Sequence, residues 1–221
     1  MIRYPQITGV VLAGGRARRM GGVNKAMLPA RPGSTQTTLA RILEVFNGRF
    51  ADCLLVTAAD GSDAHVSNPA NVAKVDKHAG DPAVWYAGLD VRRVADRHAG
   101  CGPLGGLEAA LSVVQTPFAF VCGCDMPSLS GGLLDLMAGR VRPGRLLVPV
   151  VAGRPEPLHA VYPRSCLPVA DEALREGVRM MLDFFQRVEV DYLHEDEFAG
   201  IEDAAKSFHN INSPEDLETQ G

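Results

Sequence analysis

The amino-acid sequence predicts an α/β fold built on a parallel β-sheet, and three observations near the N-terminus support this. The β-branched run ITGVVLA, residues 7–13, ends before a glycine pair, which is typical of a strand buried on both faces and followed by a turn. The run LARILEVFNGRF, residues 39–50, repeats apolar side chains at helical spacing. CLLVT, residues 53–57, is a second buried-strand pattern. Strand, loop, helix and strand in this order open many α/β proteins.

The middle of the chain continues this alternation after a segment with little pattern. Thr37 or Thr38 is a suitable N-cap for the first helix. From residue 58 to residue 99, Gly, Asp, Asn and Pro interrupt any periodicity, so we interpret residues 60–95 as an insertion with a candidate strand at 89–95. GPLGGL, residues 102–107, opens a helix predicted to end near residue 115. FAFVC, residues 118–122, is the next predicted strand.

The second half of the chain also alternates strands and helices. Strand patterns at residues 146–151 and 158–162 flank AGRPEP, which indicates a hairpin-like connection. In the tail FHNINSPEDL, residues 208–217, we predict a short strand and then a helix capped by Ser213. The other predicted elements of this half are helices at residues 133–137, 167–176 and 179–185 and a strand at residues 188–192.

Composition excludes several classes of function. The 221 residues suit one domain, and the formal net charge of -4 gives no general attraction to nucleic acid or to an anionic membrane. Five scattered cysteines, an odd number, favour reduced thiols over a disulfide framework. No apolar run approaches the roughly 18 residues that span a bilayer, and no signal-peptide pattern is present. We therefore expect a cytoplasmic protein without nucleic-acid or membrane partners.

The segment LAGGRARRMGGVNKAMLP, residues 12–29, concentrates glycines and basic residues directly after the first predicted strand. Ligands of open α/β folds collect at the carboxyl ends of strands, where glycine lets the backbone approach and amide groups bind phosphate oxygens. The segment lacks the Gly-Lys-Ser/Thr element of a P-loop and does not match the G-x-G-x-x-G fingerprint. It indicates a phosphate-binding loop; the alternative is a solvated basic loop that binds nothing.

A second candidate site residue, Asp125, follows the apolar strand FAFVC. If the first strand runs parallel to this one, the Asp125 carboxylate emerges beside the glycine-rich loop. Mg²⁺ usually binds one or two carboxylates together with phosphate and water, so Asp125 is a candidate metal ligand. The alternative is a turn aspartate before Pro127. Cys122 and Cys124 share one face of the strand without a second cluster, which favours core packing over a metal site.

Other motifs are consistent with ligand binding but leave alternatives open. GPLGGL offers room for a flat ring or a phosphate at a helix N-terminus, although a tight turn explains it equally well. Asn210 and Asn212 could face one side of a strand and reach the same cleft, or could serve only as capping and turn residues. His159 is expected in the core or the cleft wall more than as a catalytic base. No G-x-S-x-G or H-E-x-x-H motif supports a hydrolase or zinc protease.

Taken together, five motifs in this order resemble the molybdenum cofactor guanylyltransferase family, the MobA-like members of the nucleotidyltransferase group: LAGGRARRMGGVNKAMLP, GPLGGL, CDMP, RPEPLHAVY and FHNINSPEDL. The resemblance implies one domain over residues 1–221, with nucleotide binding in 1–130 and acceptor (pterin) binding in 145–221. It implies a three-layer αβα, Rossmann-like nucleotidyltransferase fold of the GT-A type with a mixed, mostly parallel sheet. The implied reaction transfers GMP from GTP to molybdenum-loaded molybdopterin and releases pyrophosphate.

The same resemblance implies roles for individual residues. Lys25, Asp125 and Arg19 would be catalytic, and Asp125 would bind the Mg²⁺ cofactor. The implied substrate-binding residues are Leu12, Ala13, Gly14, Gly15, Lys25, Asp96, Gly102, Asp125, Asn210 and Asn212. Two departures affect base recognition: Ala59-Asp60 stands where the family often has asparagine, and residues 62–89 form a longer segment than expected.

Three alternatives remain open from the sequence. The same fold could serve a molybdopterin cytidylyltransferase or a sugar-phosphate nucleotidyltransferase, because the first motif is shared across the superfamily. A non-catalytic nucleotide-binding protein is a third interpretation, against which Lys25 and Asp125 both argue. Expected partners are GTP and molybdopterin as substrates, with other proteins of molybdenum cofactor biosynthesis and apo-molybdoenzymes as candidate protein partners.

Overall fold

The structure is a computed structural model that describes residues 2–13, 25–58, 91–98 and 100–211 of the chain. Most of the predicted insertion and the predicted helix after Ser213 therefore lie outside the described residues. So do part of the glycine-rich segment and the end of the NINSPEDL motif.

One mixed sheet organises the molecule. Its strands are β1 (Tyr4–Leu12), β2 (Phe50–Ala58), β3 (Arg92–Asp96), β4 (Phe118–Gly123), β5 (Arg145–Val151), β6 (Arg154–Pro155), β7 (His159–Pro163) and β8 (Glu189–His194). The spatial order is β3-β2-β1-β4-β7-β5-β6, and β8 also pairs with β5. The first four strands of this order are mutually parallel, β7 is antiparallel to both of its neighbours, and β8 is parallel to β5. The expected mixed, mostly parallel sheet is confirmed.

Helices cover both faces of the sheet. They are α1 (Thr38–Phe46), α2 (Gly102–Val113), α3 (Gly131–Arg140), α4 (Leu167–Arg175), α5 (Met181–Phe185) and α6 (Glu195–Phe198), with 3-10 turns at Lys25–Met27, Arg164–Cys166 and Ala205–Phe208. One core cluster includes side chains of α1, α3 and α6, and a second includes side chains of α2, α4 and α5. Within the described residues, no helix has the length and apolar character needed to cross a membrane.

Alternation along the central strands explains the three layers. In β4, Phe118, Phe120 and Cys122 belong to the first core cluster, whereas Ala119 and Val121 belong to the second. Successive side chains of a strand point to opposite faces, so a continuous apolar run supplies both cores at once. The buried-strand interpretation of FAFVC is confirmed.

The first helix begins as predicted and ends earlier. Thr37 is its N-cap, and the Thr37 side chain accepts a hydrogen bond from the Ala40 amide at 3.2 Å. The helix ends at Phe46 although the predicted run extended to Phe50. Gly48 has φ +73°, a left-handed conformation that glycine adopts without strain, and Phe50 already begins β2.

The predicted hairpin-like or looped connection joins β5 to β7, which are antiparallel, and it contains a tight turn into the short strand β6. Ala152 and Gly153 have φ values of +48° and +74°, which matches a two-residue hairpin loop with positive φ at both positions. The pairs Val150↔Pro155 and Val151↔Arg154 close the hairpin.

The predicted strand at Phe208–Asn212 is wrong for its described part. Phe208 ends a 3-10 turn, and no strand pairing includes residues 209–211. Ile211 instead donates its amide to the carbonyl of Asp125, outside any ladder, at 2.9 Å. The short strand β6 and the helix α6 carry too few residues to show a period, and the sequence did not predict them.

The structure generates a prediction about Gly9 in the middle of β1. A Cβ added there would lie 2.8 Å from Cε2 of the buried Phe46 ring, so α1 can pack on the sheet only because this position has no side chain. We expect Gly9→Ala to lower the free energy of unfolding by about 1–3 kcal/mol in a denaturant titration, because the overpacked ring must shift.

Gly139→Ala is the matched control, because a Cβ on this residue of α3 meets no atom within 4 Å. Alanine is the better helix former, so this variant is expected to keep or raise the stability. Equal stability of the two variants would contradict close packing of Phe46 on Gly9.

Candidate active site

The carboxyl ends of β1 and β4 lie side by side in the sheet. The two strands are paired in parallel, and Leu12 of β1 is the register partner of Gly123 of β4. Beyond these residues the chains stay joined, because the Cys124 amide donates to the Leu12 carbonyl at 3.2 Å. The predicted juxtaposition of the glycine-rich segment with the CDMP motif therefore follows from strand register.

Lys25 and Asp125 form an ion pair at this edge. Nζ of Lys25 donates to Oδ2 of Asp125 at 3.0 Å, and each side chain is 23% exposed. Lys25 starts a 3-10 turn whose next residue, Ala26, is completely buried and anchors the turn in the core. The arrangement places one cation and one carboxylate, 100 residues apart in sequence, together at this partly solvated edge of the sheet.

The C-terminal segment is fastened to the chain that follows β4. Ser207 is buried, and its Oγ accepts a hydrogen bond from the Ser130 amide at 2.6 Å. Ile211 is also buried, and its amide donates to the carbonyl of Asp125. Asn210 lies between these anchors and is exposed, which leaves its side-chain amide accessible beside the CDMP motif.

Asp96 lies against the first turns of α2. Its Oδ1 accepts a hydrogen bond from the His98 amide at 2.8 Å. Burial raises the pKa of the Asp96 carboxyl, and the His98 amide opposes this rise. A Cβ on Gly105 would lie 3.0 Å from Oδ1 of Asp96, so the carboxylate packs directly on the GPLGGL motif. The structure thus brings Asp96 and this motif together.

Gly102 begins α2 with φ +65°, a conformation that favours glycine. Pro103 occupies the first turn, where its missing amide costs no helical hydrogen bond. The prediction that GPLGGL opens a helix is confirmed, and Leu12 packs beneath it, 3.3 Å from where a Cβ on Gly106 would lie. The small residues of this motif therefore let α2 approach the end of β1.

His159 is a core residue, in agreement with the interpretation of the sequence. Its ring is completely buried, and neither ring nitrogen has a hydrogen-bond partner. The ring lies 5.2 Å from that of Phe120 and 4.7 Å from that of Phe208. Burial lowers the pKa of the His159 imidazole from 6.5 to about 3, so the ring is neutral at physiological pH. It supports the C-terminal segment by packing and is not placed to exchange protons with solvent.

The cysteines near the site are packing residues. Cys122 is completely buried, and burial raises the pKa of the Cys124 thiol to about 12. A thiol in this state is protonated and unreactive at physiological pH. Among the residues that the structure describes, no group of three or more His, Cys, Asp or Glu side chains could hold a metal ion.

Four predicted site residues, Gly14, Gly15, Arg19 and Asn212, lie outside the described residues. Of the others, Leu12, Ala13, Lys25 and Asp125 lie at the joint end of β1 and β4. Asp96 ends β3 and packs on the start of α2, where Gly102 lies, and Asn210 lies on the fastened C-terminal segment.

Glu156 is a carboxylate that the sequence did not single out. It lies in the three-residue interruption between β6 and β7, where the Gly123 amide donates to the Leu158 carbonyl at 3.2 Å. Burial raises the pKa of the Glu156 carboxyl. The RPEPLHAVY motif contains this residue, whose amide donates to the Pro149 carbonyl of β5 at 2.9 Å.

Comparison with known proteins identifies the family of this chain. Residues 9–190 match the family model of the MobA-like NTP transferase domain. A probable molybdenum cofactor guanylyltransferase of Pelotomaculum thermopropionicum is 30% identical over 212 residues, which cover 96% of this chain and 90% of that protein. Another, of Methanosarcina mazei, is 32% identical over 213 residues, which cover 96% of this chain and 88% of that protein.

The fold has a close counterpart among solved structures. The crystal structure of molybdopterin-guanine dinucleotide biosynthesis protein A from Archaeoglobus fulgidus superposes with a TM-score of 0.72 at 25% sequence identity. The match covers 96% of this chain and 95% of that one. The three-layer nucleotidyltransferase fold is therefore confirmed.

The buried imidazole of His159 predicts a pH dependence of stability. An unfolded histidine takes up a proton near pH 6.5, whereas folded His159 does so only near pH 3. Above pH 6.5, His159 is neutral in both states and does not lower the free energy of unfolding. As the pH falls from 6.5 towards 3, only the unfolded state takes up the proton, and the free energy of unfolding decreases by up to about 1.4 kcal/mol per pH unit.

Denaturant unfolding of the protein and of His159→Leu between pH 7.5 and pH 5 measures this slope. We expect the variant to lose less stability than the parent on acidification, because leucine fills a similar volume and takes up no proton. Identical slopes for the two proteins would exclude a buried neutral imidazole at this position.

Proposed function

This chain belongs to the MobA-like NTP transferase domain family, and on that premise we propose that it transfers GMP from GTP to molybdopterin. The products are molybdopterin guanine dinucleotide and pyrophosphate. Two relatives that are 30% and 32% identical are probable molybdenum cofactor guanylyltransferases, and each alignment covers 96% of this chain. The observation that carries the proposal is the ion pair of Lys25 with Asp125 at the carboxyl edge of β1 and β4.

The reaction requires neutralisation of phosphate charge more than acid or base catalysis. An oxygen of the terminal phosphate of molybdopterin forms a bond to the α-phosphorus of GTP, and the bond from that phosphorus to the bridging oxygen of the β-phosphate breaks. The electron pair leaves with pyrophosphate. Both reactants are anions, so the barrier consists largely of repulsion and positioning.

Lys25 is suited to reduce that repulsion. Its ammonium group lies at the partly solvated sheet edge where ligands of α/β folds bind, 3.0 Å from Oδ2 of Asp125. Incoming phosphates would compete with the carboxylate for this ammonium group, so the ion pair holds Lys25 near the site until the nucleotide arrives. Arg19 and the glycine pair Gly14-Gly15 are assigned to the triphosphate on sequence alone.

The donor set fits Mg²⁺ through Asp125. This ion commonly takes one or two carboxylates and completes its shell with substrate phosphates and water, so a single partly exposed carboxylate is a suitable protein ligand. When bound, the ion would neutralise phosphate charge. The protein holds the Asp125 side chain in place, because the backbone carbonyl of Asp125 accepts a hydrogen bond from the Ile211 amide.

The acceptor would bind on the side of the C-terminal segment. Asn210 is exposed next to the CDMP motif, and Asn212 and the RPEPLHAVY region are assigned to the pterin by the same motif pattern. Leu12, Ala13, Asp96 and Gly102 are assigned to the guanine nucleotide. We also propose a cytoplasmic location and contact with proteins that supply molybdopterin or receive the dinucleotide.

Substitution of the ion pair tests the catalytic assignment. We expect Lys25→Ala and Asp125→Asn each to lower turnover by about 100-fold or more in a pyrophosphate-release assay with GTP, Mg²⁺ and molybdenum-loaded molybdopterin. Both side chains are partly exposed at the edge of the sheet, and ion pairs in contact with solvent contribute little to stability, so the melting temperature should change little.

Lys206→Ala is the matched control, since Nζ of Lys206 also pairs with an aspartate, Asp203, at 2.9 Å, but on an exposed turn. This variant is expected to keep full turnover. Normal turnover of either Lys25→Ala or Asp125→Asn would remove that residue from the mechanism.

A nucleotide panel distinguishes guanylyl transfer from the alternatives. With Mg²⁺ present, GTP at 100 times its dissociation constant is expected to stabilise the protein by about 2.7 kcal/mol in a thermal-shift assay, whereas CTP, ATP and UTP should stabilise it less. Equal or better stabilisation by CTP would indicate a cytidylyltransferase. Binding of GTP without pyrophosphate release in the presence of acceptor would indicate a non-catalytic protein.

A further inference from the structure

We propose that Glu108 is a positioning residue that holds Asp96 in place for the nucleotide. The inference rests on the proposed function, in which Asp96 contacts the nucleoside of GTP. Glu108 itself is not placed to touch the nucleotide, because its side chain is only 6% exposed and is directed to the turn after β3.

The burial of Glu108 requires an explanation. It lies within α2, where its buried neighbours Leu104, Leu107 and Leu111 contribute to the core. A carboxylate in such surroundings is strongly disfavoured unless it is paired. An apolar residue would serve packing better at this position, so the carboxylate indicates a second requirement.

The partners of Glu108 both lie on the turn that follows β3. Its Oε1 accepts a hydrogen bond from the guanidinium of Arg97 at 3.0 Å. Its Oε2, which accepts no hydrogen bond, lies 3.3 Å from Nε2 of His98. Arg97 and His98 directly follow Asp96 in the chain. The Glu108 carboxylate on α2 therefore holds the turn next to the Asp96 carboxylate.

The position of the Arg97-His98 turn determines where the Asp96 carboxylate lies. The backbone amide of His98 donates to Oδ1 of Asp96 at 2.8 Å, so a displacement of His98 would displace this carboxylate. A Cβ on Gly105 of α2 would lie 3.0 Å from the same oxygen and 3.1 Å from Cβ of His98, so both residues pack on this helix. Asp96 is therefore confined between the turn and the surface of α2.

The charge of Asp96 defines what it can bind. An ionised carboxylate only accepts hydrogen bonds and repels phosphates, so its partners on a nucleotide are the N–H groups of the base or the hydroxyl groups of the ribose. Such hydrogen bonds require a defined position, and each immobilised side chain costs binding free energy. Because Glu108 already holds the turn, Asp96 is immobilised before the nucleotide binds, and less binding free energy is lost in ordering it.

A double-mutant cycle separates positioning from a purely structural role. We expect Glu108→Gln to weaken GTP binding about tenfold, measured by titration calorimetry, and to raise KM for GTP with kcat changed less than twofold. Residues that act through one another are non-additive. In an Asp96→Asn background, the same Glu108→Gln change should therefore alter GTP binding less than twofold.

A second variant and a control keep the test interpretable if the buried substitution impairs folding. The Arg97 side chain is 46% exposed, so Arg97→Ala removes one anchor of the turn without opening the core. It should weaken GTP binding about threefold, again only when Asp96 is present. Glu197→Gln, which removes an ion pair with Arg140 of α3 against the other core cluster, should leave GTP binding unchanged.

The outcomes separate the inference from the function on which it rests. Unchanged GTP binding in Glu108→Gln and Arg97→Ala, or an equal loss with and without Asp96, would overturn the positioning role while leaving guanylyl transfer intact. Failure of the unmodified protein to bind GTP would instead refute the proposed function, and the positioning role with it.

Discussion

The parallel pairing of β1 with β4 is the constraint on which the rest of the structure depends. Six consecutive register pairs, from Ile7↔Phe118 to Leu12↔Gly123, make the two strands end together. Both strands are apolar and supply side chains to the cores on both faces, so a one-residue slip would exchange the two sets of side chains. Whatever follows each strand must therefore meet at one edge, and Lys25 and Asp125 do.

Most polar side chains that the structure describes have a polar partner or contact solvent. The ion pair of Lys25 with Asp125 lies at the partly solvated edge, and the turn after β3 provides Arg97 for the buried Glu108. Among the described residues, the exceptions are Oε2 of Glu108 and both ring nitrogens of His159, which make no hydrogen bond. For His159 no polar atom of the side chain has a partner. Its burial is tolerated because the imidazole is neutral, and the ring supports Phe208 on the segment whose Ile211 amide binds Asp125.

The parts of the fold that the sequence predicted are those that local patterns determine. ITGVVLA, CLLVT and FAFVC became central strands because continuous β-branched and apolar runs have no stable place except inside a covered parallel sheet. The predictions failed where nonlocal contacts decide. Residues 209–211 form an irregular chain in which the Ile211 amide binds the carbonyl of Asp125, a long-range bond that the neighbouring sequence does not indicate.

The same division holds for the site. The sequence by itself determined which chemistry is available: glycines and cations after the first strand, one aspartate after an apolar strand, and small residues opening a helix, in an order that resembles the family to which the chain belongs. Only the tertiary structure decided that Lys25 lies 3.0 Å from Asp125, that the Leu158 carbonyl binds the Gly123 amide of β4, and that Glu108 holds the turn of Asp96. The reason is that residue type and spacing are encoded locally, whereas distances across a sheet depend on strand register and helix packing, which arise when both cores form together.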